Sequence, residues 1–478
     1  MIYTCIILST YLNGKRLQNS DKLIKHADLS PGAMKVALSI AGSDSGAGAG
    51  IQADLKTFSA LGIYGCTAIT AITAQNTQGV SAIFEVKPDI IREQITSVLS
   101  DMPPDAIKIG MVYSKQIIQT VCKFISNSKC PVVLDPIILA GTGAKLLLDN
   151  AIQSFIDELI PLSTLITPNL REAEKLTNTK IKSETDAMEA ACIIRKLGAK
   201  NVIIKGCHFG SKSVTDFFLD SNGRSAIFSN PRINVKESHG SGCNFSAAAA
   251  AFSAKGFSLI HSCRLANQYI HNAIKNVLKI GHGLVVTHPI SGIFQDASRY
   301  NALRELQLAV NKIEMLHNFG KMIPETQCNI VFALSDAKTV LDIAGVKGRI
   351  VRLENMARAV SNVEFGASKH VASAVLSYMK FDPTIKSAMN IKFDEKILSI
   401  CKSKFQISQY DRTNEPSDIK KKEGKTIYWG IMSALLKNRN AEIIYHEGDV
   451  GKEPMVIIFG RNPNEVFEKI KRILYYYL

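Results

Sequence analysis

No stretch of the 478 residues is apolar over the roughly 18 to 20 positions that a helix needs to cross a bilayer. The N-terminal MIYTCIILSTYL has neither the basic lead nor the small-residue cleavage site of a secretory signal. The ten cysteines lack CxxC and every other metal-ligand spacing, which argues against a zinc site or a disulfide framework and for a reducing, cytoplasmic setting. Internal repeats and low-complexity segments are missing too, and so is a basic groove. The excess of Lys and Arg (57) over Asp and Glu (42) is +2 over residues 1–34, +6 over 35–290 and +7 over 291–478. A charge spread in this way does not mark a nucleic-acid surface and suits small anionic substrates. At 46% hydrophobic and 21% charged, the chain is too apolar for disorder and too long for one core, so two domains are expected.

What is present from Lys35 onward is an alternation of short β-branched runs with amphipathic ones: KVALSIAG, IQADLKTFSAL, TAITAIT, IIREQITSVLSDM, AIKIGMV. This βαβ rhythm predicts an α/β fold with a mostly parallel sheet between helices. It continues through PVVLDPII, TLITPN, the helical ETDAMEAACIIRKLG and NVIIKG, while the adjacent runs SVTDFFLD and RSAIFSN predict an antiparallel edge. An alanine-rich helix follows HGSG. Gly and Pro in GHGLVVTHPISGIFQD place the domain boundary near 289–298, closing a domain over 35–290. A second, smaller α/β domain over 299–478 opens with the helix RYNALRELQLAVNKIEML. Residues 1–34 stand outside the rhythm and are expected to form a poorly ordered extension, with Met34 near the functional start.

The loop AGSDSGAGAGIQAD carries Gly46, Gly48 and Gly50 at every second position, a departure from both the dinucleotide fingerprint and the P-loop. SHGSGCNFSAAAAA says more. Gly240 and Gly242 flank Ser241 where a helix begins, so unpaired N–H groups and the positive end of the helix dipole converge in an anion hole. Cys243 lies in the first turn, where that field is expected to favour its thiolate. TPNLREAE supplies Asn169 and Glu172, the latter a candidate for Mg²⁺ directly or through water. Lys205, ending VIIKG, is a point charge suited to a phosphate. Each feature alone is more often an ordinary cap or surface residue, but together they describe phosphoryl transfer, in which a protein mostly positions groups and neutralises charge.

These residues occur within an ordered set of strings, SIAGSDSGAGAGIQADLKTFSALGIYG, TAQNTQGV, KIGM, VVLDP, LITPN and HGSGC. The set resembles the hydroxymethylpyrimidine/phosphomethylpyrimidine kinases of thiamine biosynthesis, within the ribokinase-like superfamily. The resemblance implies ATP as phosphoryl donor, Mg²⁺, and two successive phosphorylations of 4-amino-5-hydroxymethyl-2-methylpyrimidine. It also implies a pyrimidine site of Gly42, Asp54 and Gln75 with apolar contact from Met111 and Ile137, and Cys243 as the proton acceptor where the wider superfamily has Asp. Ala47 stands where the family usually has Gly, and GTGAKLL at 141–147 lacks an Asp often found there.

From residues alone the second domain is only a basic α/β unit, in which Arg349 with Arg352 and the group Asp449, Lys452 and Glu453 are candidates to bind an anion and a metal. Its strings IPE, GRIVR, FGASKHVA, FDPTIKSAMNIKF, YDRTNEP and EGDVGKEPMVIIFG resemble the ThiN-type thiamine-phosphate synthase domain. That resemblance implies condensation of the pyrimidine diphosphate with thiazole phosphate, with Arg349 as an anion-binding arginine and His370 as the motif histidine. Two rival readings are a C-terminal domain that only senses a thiamine intermediate and a kinase for pyridoxal-type substrates. The expected partners are small molecules, without nucleic acid or membrane, and a homo-oligomer is expected.

Overall fold

The computed structural model describes residues 34–210, 212–235, 238–416, 425–449 and 453–478. Apart from Met34, the expected N-terminal extension lies outside the described residues, as does Lys452. The chain divides into two compact units between Ile293 and Phe294. Among the described residues no helix is long and apolar enough to cross a membrane.

The first unit is built on nine strands: β1 (Val36–Asp44), β2 (Tyr64–Gln75), β3 (Val80–Glu85), β4 (Ala106–Ile109), β5 (Val132–Leu134), β6 (Leu165–Ile166), β7 (Asn201–Cys207), β8 (Ser213–Leu219) and β9 (Ser225–Pro231). Their order is β3-β2-β1-β4-β5-β6-β7-β8-β9. Strands β2, β1, β4, β5, β6 and β7 run parallel, β3 is antiparallel on one edge, and β8 with β9 make the expected antiparallel edge on the other. Both faces are covered because β1 alternates: Leu38 and Ile40 enter one core, while Ala37 enters the other beside Phe58 and the alanine-rich helix Ser241–Ala254. That helix is buried all round from Cys243 to Ala254, and its row of methyl groups lets it sit against β1, β4 and β5. The strand order reverses between β1 and β4. Open α/β sheets bind ligands in the crevice beyond the carboxyl ends of strands at such a reversal, and there β1 runs into the glycine-rich loop. In that loop Ala47 has φ +56°, the left-handed region that costs an alanine about 1–2 kcal/mol and favours glycine. A short parallel pair, β10 (Ser238–His239) with β11 (Val285–Val286), leads into the alanine-rich helix.

The second unit is α/β as expected, but its sheet is mainly antiparallel. Strands β12 (Ile330–Ala333), β13 (Ile343–Val346), β16 (Val363–Phe365), β17 (Ser387–Lys392), β18 (Ile407–Gln409), β19 (Ile443–His446) and β20 (Met455–Gly460) lie in the order β16-β13-β12-β17-β20-β19-β18. Among the described residues of this sheet, only β18 and β19 pair in parallel. A separate hairpin joins β14 (Ile350–Leu353) to β15 (Met356–Ala359). One face packs on the helices Glu395–Lys404 and Pro463–Tyr477, the other on His370–Tyr378 and Lys425–Lys437. The boundary expected as a loop over 289–298 is largely helical: the Gly/Pro-containing stretch ends before Ser291, where the helix Ser291–Glu314 begins.

Candidate active site

The glycine-rich loop of the first unit is shaped by a carboxylate that the motif reading overlooked. Asp44, at the end of β1, accepts hydrogen bonds from the backbone N–H groups of Gly46 (2.8 Å), Gly48 (3.1 Å) and Ala49 (2.8 Å), and lies 2.9 Å from Nε2 of His239. Burial raises the Asp44 carboxyl, but the bonds from His239 and the backbone outweigh it and hold its pKa below the ordinary value. The same His239 nitrogen lies 3.2 Å from the Gln75 amide. Two loops meet here only because both carry glycine. A Cβ on Gly48 would fall 2.1 Å from Cδ2 of His239, and one on Gly240, at φ +85°, would fall 1.8 Å from the Gly48 carbonyl oxygen.

The loops enclose a cleft lined by Gly42, Gln75, Met111, Ile137, Glu172 and Gly240 to Cys243, all of them expected site residues. A second, larger cleft lies beside it, lined by Lys205, Asn230, Asn267 and Ile270. Ser241 and Gly242 border both. The helix start expected as an anion hole is therefore the common wall of two clefts, one able to hold a phosphoryl acceptor and the other a donor.

Asp54 departs from the expectation. It has no exposed surface and does not line either cleft; its Oδ2 accepts from Ser39 Oγ (2.6 Å) and Lys108 Nζ (2.9 Å), while Oδ1 has no partner. Lys108, equally buried, went unread because a lysine inside AIKIGMV looks like the polar residue of an alternating strand. Burial would strip its proton, but the neighbouring carboxylates of Asp54 and Asp135 hold it on. Removing one partner of a buried pair strands the other charge, so Lys108→Met should destabilise the first unit by about 3–5 kcal/mol, with the double variant Lys108→Met/Asp54→Asn recovering much of the loss. Denaturant unfolding followed by a probe in the first unit measures both. Equal stability of wild type and Lys108→Met would refute the account.

The expected thiolate at Cys243 is a correction. The sulfur is buried, and burial together with Asp135 and Asp54 pushes the thiol up to about 12 despite Lys108 and the Gly50 N–H. The helix start favours an anion, but desolvation and two nearby carboxylates, invisible in the local string, prevail. Lys205 sits at the end of β7 as expected and donates to Asp135 Oδ1 (2.7 Å), beside Thr167 and the Gly242 carbonyl. Glu172 is part of a capping box: its backbone N–H donates to the Asn169 side chain, and its carboxylate accepts from the Asn169 N–H at 2.8 Å. Burial and Asp135 push its pKa up to about 8 against the pull of Lys205. Among the described residues no group of three or more His, Cys, Asp or Glu is placed to hold a metal ion.

In the second unit the structure brings three expected motifs together. Arg349, exposed and at φ +76°, donates to the Thr326 carbonyl just after IPE. Glu453 accepts from Glu325 N–H (2.8 Å), Thr326 N–H (3.1 Å) and Thr326 Oγ1 (2.6 Å). Both Glu453 oxygens are thus occupied in shaping a loop, which argues against the metal role considered for it. His370 is the exposed first residue of the helix His370–Tyr378, and Arg352 uses its Nε on the Glu354 carbonyl.

Residues 44–288 match the family model for phosphomethylpyrimidine kinase, and residues 305–472 that for thiamine-phosphate synthase ThiN. A hydroxymethylpyrimidine/phosphomethylpyrimidine kinase of Rhizobium meliloti is 44% identical over 256 residues, 53% of this chain and 96% of that one. The bifunctional thiamine biosynthesis protein ThiDN of Methanocaldococcus jannaschii is 31% identical over 442 residues, 92% of this chain and 98% of that one. Among solved structures, Bacillus subtilis pyridoxal kinase in an ADP complex matches at 35% identity with TM-score 0.50, covering 54% of this chain and 97% of that one.

Proposed function

The chain belongs to the bifunctional thiamine-biosynthesis family that joins a phosphomethylpyrimidine kinase to a ThiN-type thiamine-phosphate synthase, and on that footing we propose how its residues divide the work. The first unit is an ATP-dependent kinase; the second is a synthase. Two rounds of phosphorylation turn the hydroxymethylpyrimidine into its monophosphate and then its diphosphate, and the second unit replaces the pyrophosphate with the thiazole nitrogen. The observation that carries the kinase reading is the helix start shared by two clefts. The pyrimidine occupies the smaller one, against Gly42, Gln75, Met111 and Ile137, and ATP the larger. Backbone N–H groups at Gly240 to Gly242, with Lys205, neutralise the phosphoryl group in transit.

Glu172 and Asp135 suit Mg²⁺. They are two carboxylates whose closeness raises the Glu172 pKa, and a divalent cation relieves that repulsion. When bound, the ion neutralises nucleotide phosphates. Asp54 and Lys108 support the floor of the pyrimidine cleft rather than reading the ring from its wall. Cys243 faces the hydroxymethyl oxygen as a neutral thiol in the resting enzyme. It accepts the hydroxyl proton only after releasing its own to solvent, and that transfer accompanies or follows bond formation to phosphorus, as a loose transition state permits.

The test is the purified full chain with hydroxymethylpyrimidine, ATP and Mg²⁺, then thiazole phosphate, with each product identified by mass. Monophosphate, diphosphate and thiamine phosphate should appear in that order. Cys243→Ala should slow pyrimidine phosphorylation about 10²-fold, near the lower end for general acid–base groups, and leave thiamine-phosphate formation from supplied diphosphate unchanged. Near-normal kinase turnover in this variant would remove Cys243 from proton transfer. The likeness to pyridoxal kinase favours pyridoxal as a second substrate to assay, and a higher kcat/KM for it than for the pyrimidine would reverse the assignment.

A further inference from the structure

Five buried side-chain oxygen or nitrogen atoms of the described residues have no hydrogen-bond partner, and four of them lie in one place: Tyr410 Oη, Arg412 Nε and both carboxyl oxygens of Glu415. Unsatisfied buried polar atoms are rare because each costs the desolvation of the group without return, and a cluster of them points to a ligand. The residues follow β18, at the carboxyl end of the parallel pair β18–β19, and His446 ends the neighbouring β19. The Glu415 side chain is 1% exposed and lies 3.9 Å from the Arg412 guanidinium, too far to be satisfied by it. The Tyr410 ring is flanked by Trp429 (6.2 Å, edge-on) and His446 (5.0 Å) and presses on the helix backbone at Gly430, where a Cβ would fall 2.4 Å from it. Burial and Arg412 lower the pKa of His446 to about 4, so its ring is neutral, with Nδ1 accepting from the Gly448 N–H.

We propose that the open polar atoms of Tyr410, Arg412 and Glu415 read the aminopyrimidine ring of the diphosphate substrate in the synthase unit. The inference rests on the reading that this unit makes thiamine phosphate, and it names which of the two substrates these residues take. A buried carboxyl with two open oxygens requires a hydrogen-bond donor. The aminopyrimidine offers its exocyclic N–H groups beside ring nitrogens that accept, and these match the open Arg412 N–H and the Tyr410 hydroxyl. Thiazole phosphate has no N–H in its ring and so offers the open carboxyl oxygens no donor there. The edges of Tyr410 and the neutral His446 add the apolar surround that a flat heteroaromatic ring favours.

The experiment measures KM for hydroxymethylpyrimidine diphosphate and for thiazole phosphate separately, in the full chain and in Glu415→Gln and Tyr410→Phe. Thermal unfolding and the kinase rates serve as controls. Glu415→Gln should raise KM for the diphosphate about tenfold or more, the loss of a hydrogen bond to a charged group. KM for thiazole phosphate should stay within about twofold. Tyr410→Phe, which removes one oxygen and keeps the ring, should move the same constant in the same direction and covers the case of a poorly folded Glu415→Gln. An unchanged KM for the diphosphate with a lowered unfolding midpoint would make the cluster structural and overturn the proposal, as would a rise confined to thiazole phosphate. If the unmodified chain makes no thiamine phosphate from both supplied substrates, the synthase reading itself fails and the proposal falls with it.

Discussion

Gly240→Ala should abolish pyrimidine phosphorylation while the second unit still makes thiamine phosphate from supplied diphosphate. The new methyl would sit 1.8 Å from the Gly48 carbonyl oxygen and 3.3 Å from Thr287 Oγ1, at a φ of +85° that alanine itself resists. The left-handed conformation costs about 1–2 kcal/mol. The clash adds more and forces one loop to move, displacing the N–H groups meant for the transferred phosphoryl. Loss of a single such donor costs about 10² to 10³ in rate, and here several shift together. Gly242→Ala is the comparison. Its backbone is not left-handed and its methyl would meet Lys205 Nζ at 3.4 Å and Asp135 Oδ2 at 3.7 Å, ordinary contact distances that a flexible lysine accommodates. It should lose far less. Steady-state kinase assays on folded variants measure both, and equal activities would show that the close approach of the two loops is not what organises the site.

Arg349→Gly and His370→Ala should depress thiamine-phosphate formation by at least about 10²-fold and spare both phosphorylations. A non-glycine residue held at φ +76° pays a backbone cost that glycine would avoid. Arg349→Gly therefore leaves the turn at least as comfortable while removing the guanidinium. Departure of pyrophosphate from the pyrimidine methylene carbon needs cations at the leaving group, and Arg349 suits that role through charge-assisted, forked hydrogen bonds that Lys reproduces only in part. The assay supplies diphosphate and thiazole phosphate directly, so kinase flux cannot mask the result. A fully active Arg349→Gly would limit the arginine to its bond with the Thr326 carbonyl, and a fully active His370→Ala would remove the histidine from the reaction.

The first unit's architecture was legible because parallel strands buried on both faces announce themselves as short apolar runs separated by helical periods. The anion hole was legible because it is local, with two glycines at a helix start. What escaped was whatever depended on distant residues. Cys243 reads as an activated thiol from its own turn, yet burial, with Asp54 and Asp135 brought close from distant parts of the chain, keeps it protonated against the pull of Lys108. Asp54 and Lys108 are 54 positions apart and nothing in either string names the other. The pairing of Asn169 with Glu172 carried a readable signal, N-x-x-E before a helix, which explains part of Glu172 without any metal. In the second unit the strands were recognisable but not their antiparallel order. The open atoms at Tyr410, Arg412 and Glu415 had no sequence signal beyond the family string, since an unpaired atom can be recognised only once its surroundings are known.

The meeting of Gly48 with Gly240 also sets a timetable for the chain as it is made. Strand β1, the glycine-rich loop and the first helix, Gly50–Ala60, leave the ribosome early, whereas the alanine-rich helix that packs on that first helix, through Thr57 Oγ1 and Asn244 Oδ1 at 3.0 Å among other contacts, begins at Ser241. At about 5–20 residues per second the second half of the site follows the first by roughly ten to forty seconds. Throughout that interval the growing polypeptide has Asp54 without the cover that later seals it from water, and its glycine loop has no His239 to brace against. The docking of that one alanine-rich helix is therefore a late step: a fragment ending at Arg232 already holds all nine strands of the first unit's sheet but lacks the helix start that borders the two clefts.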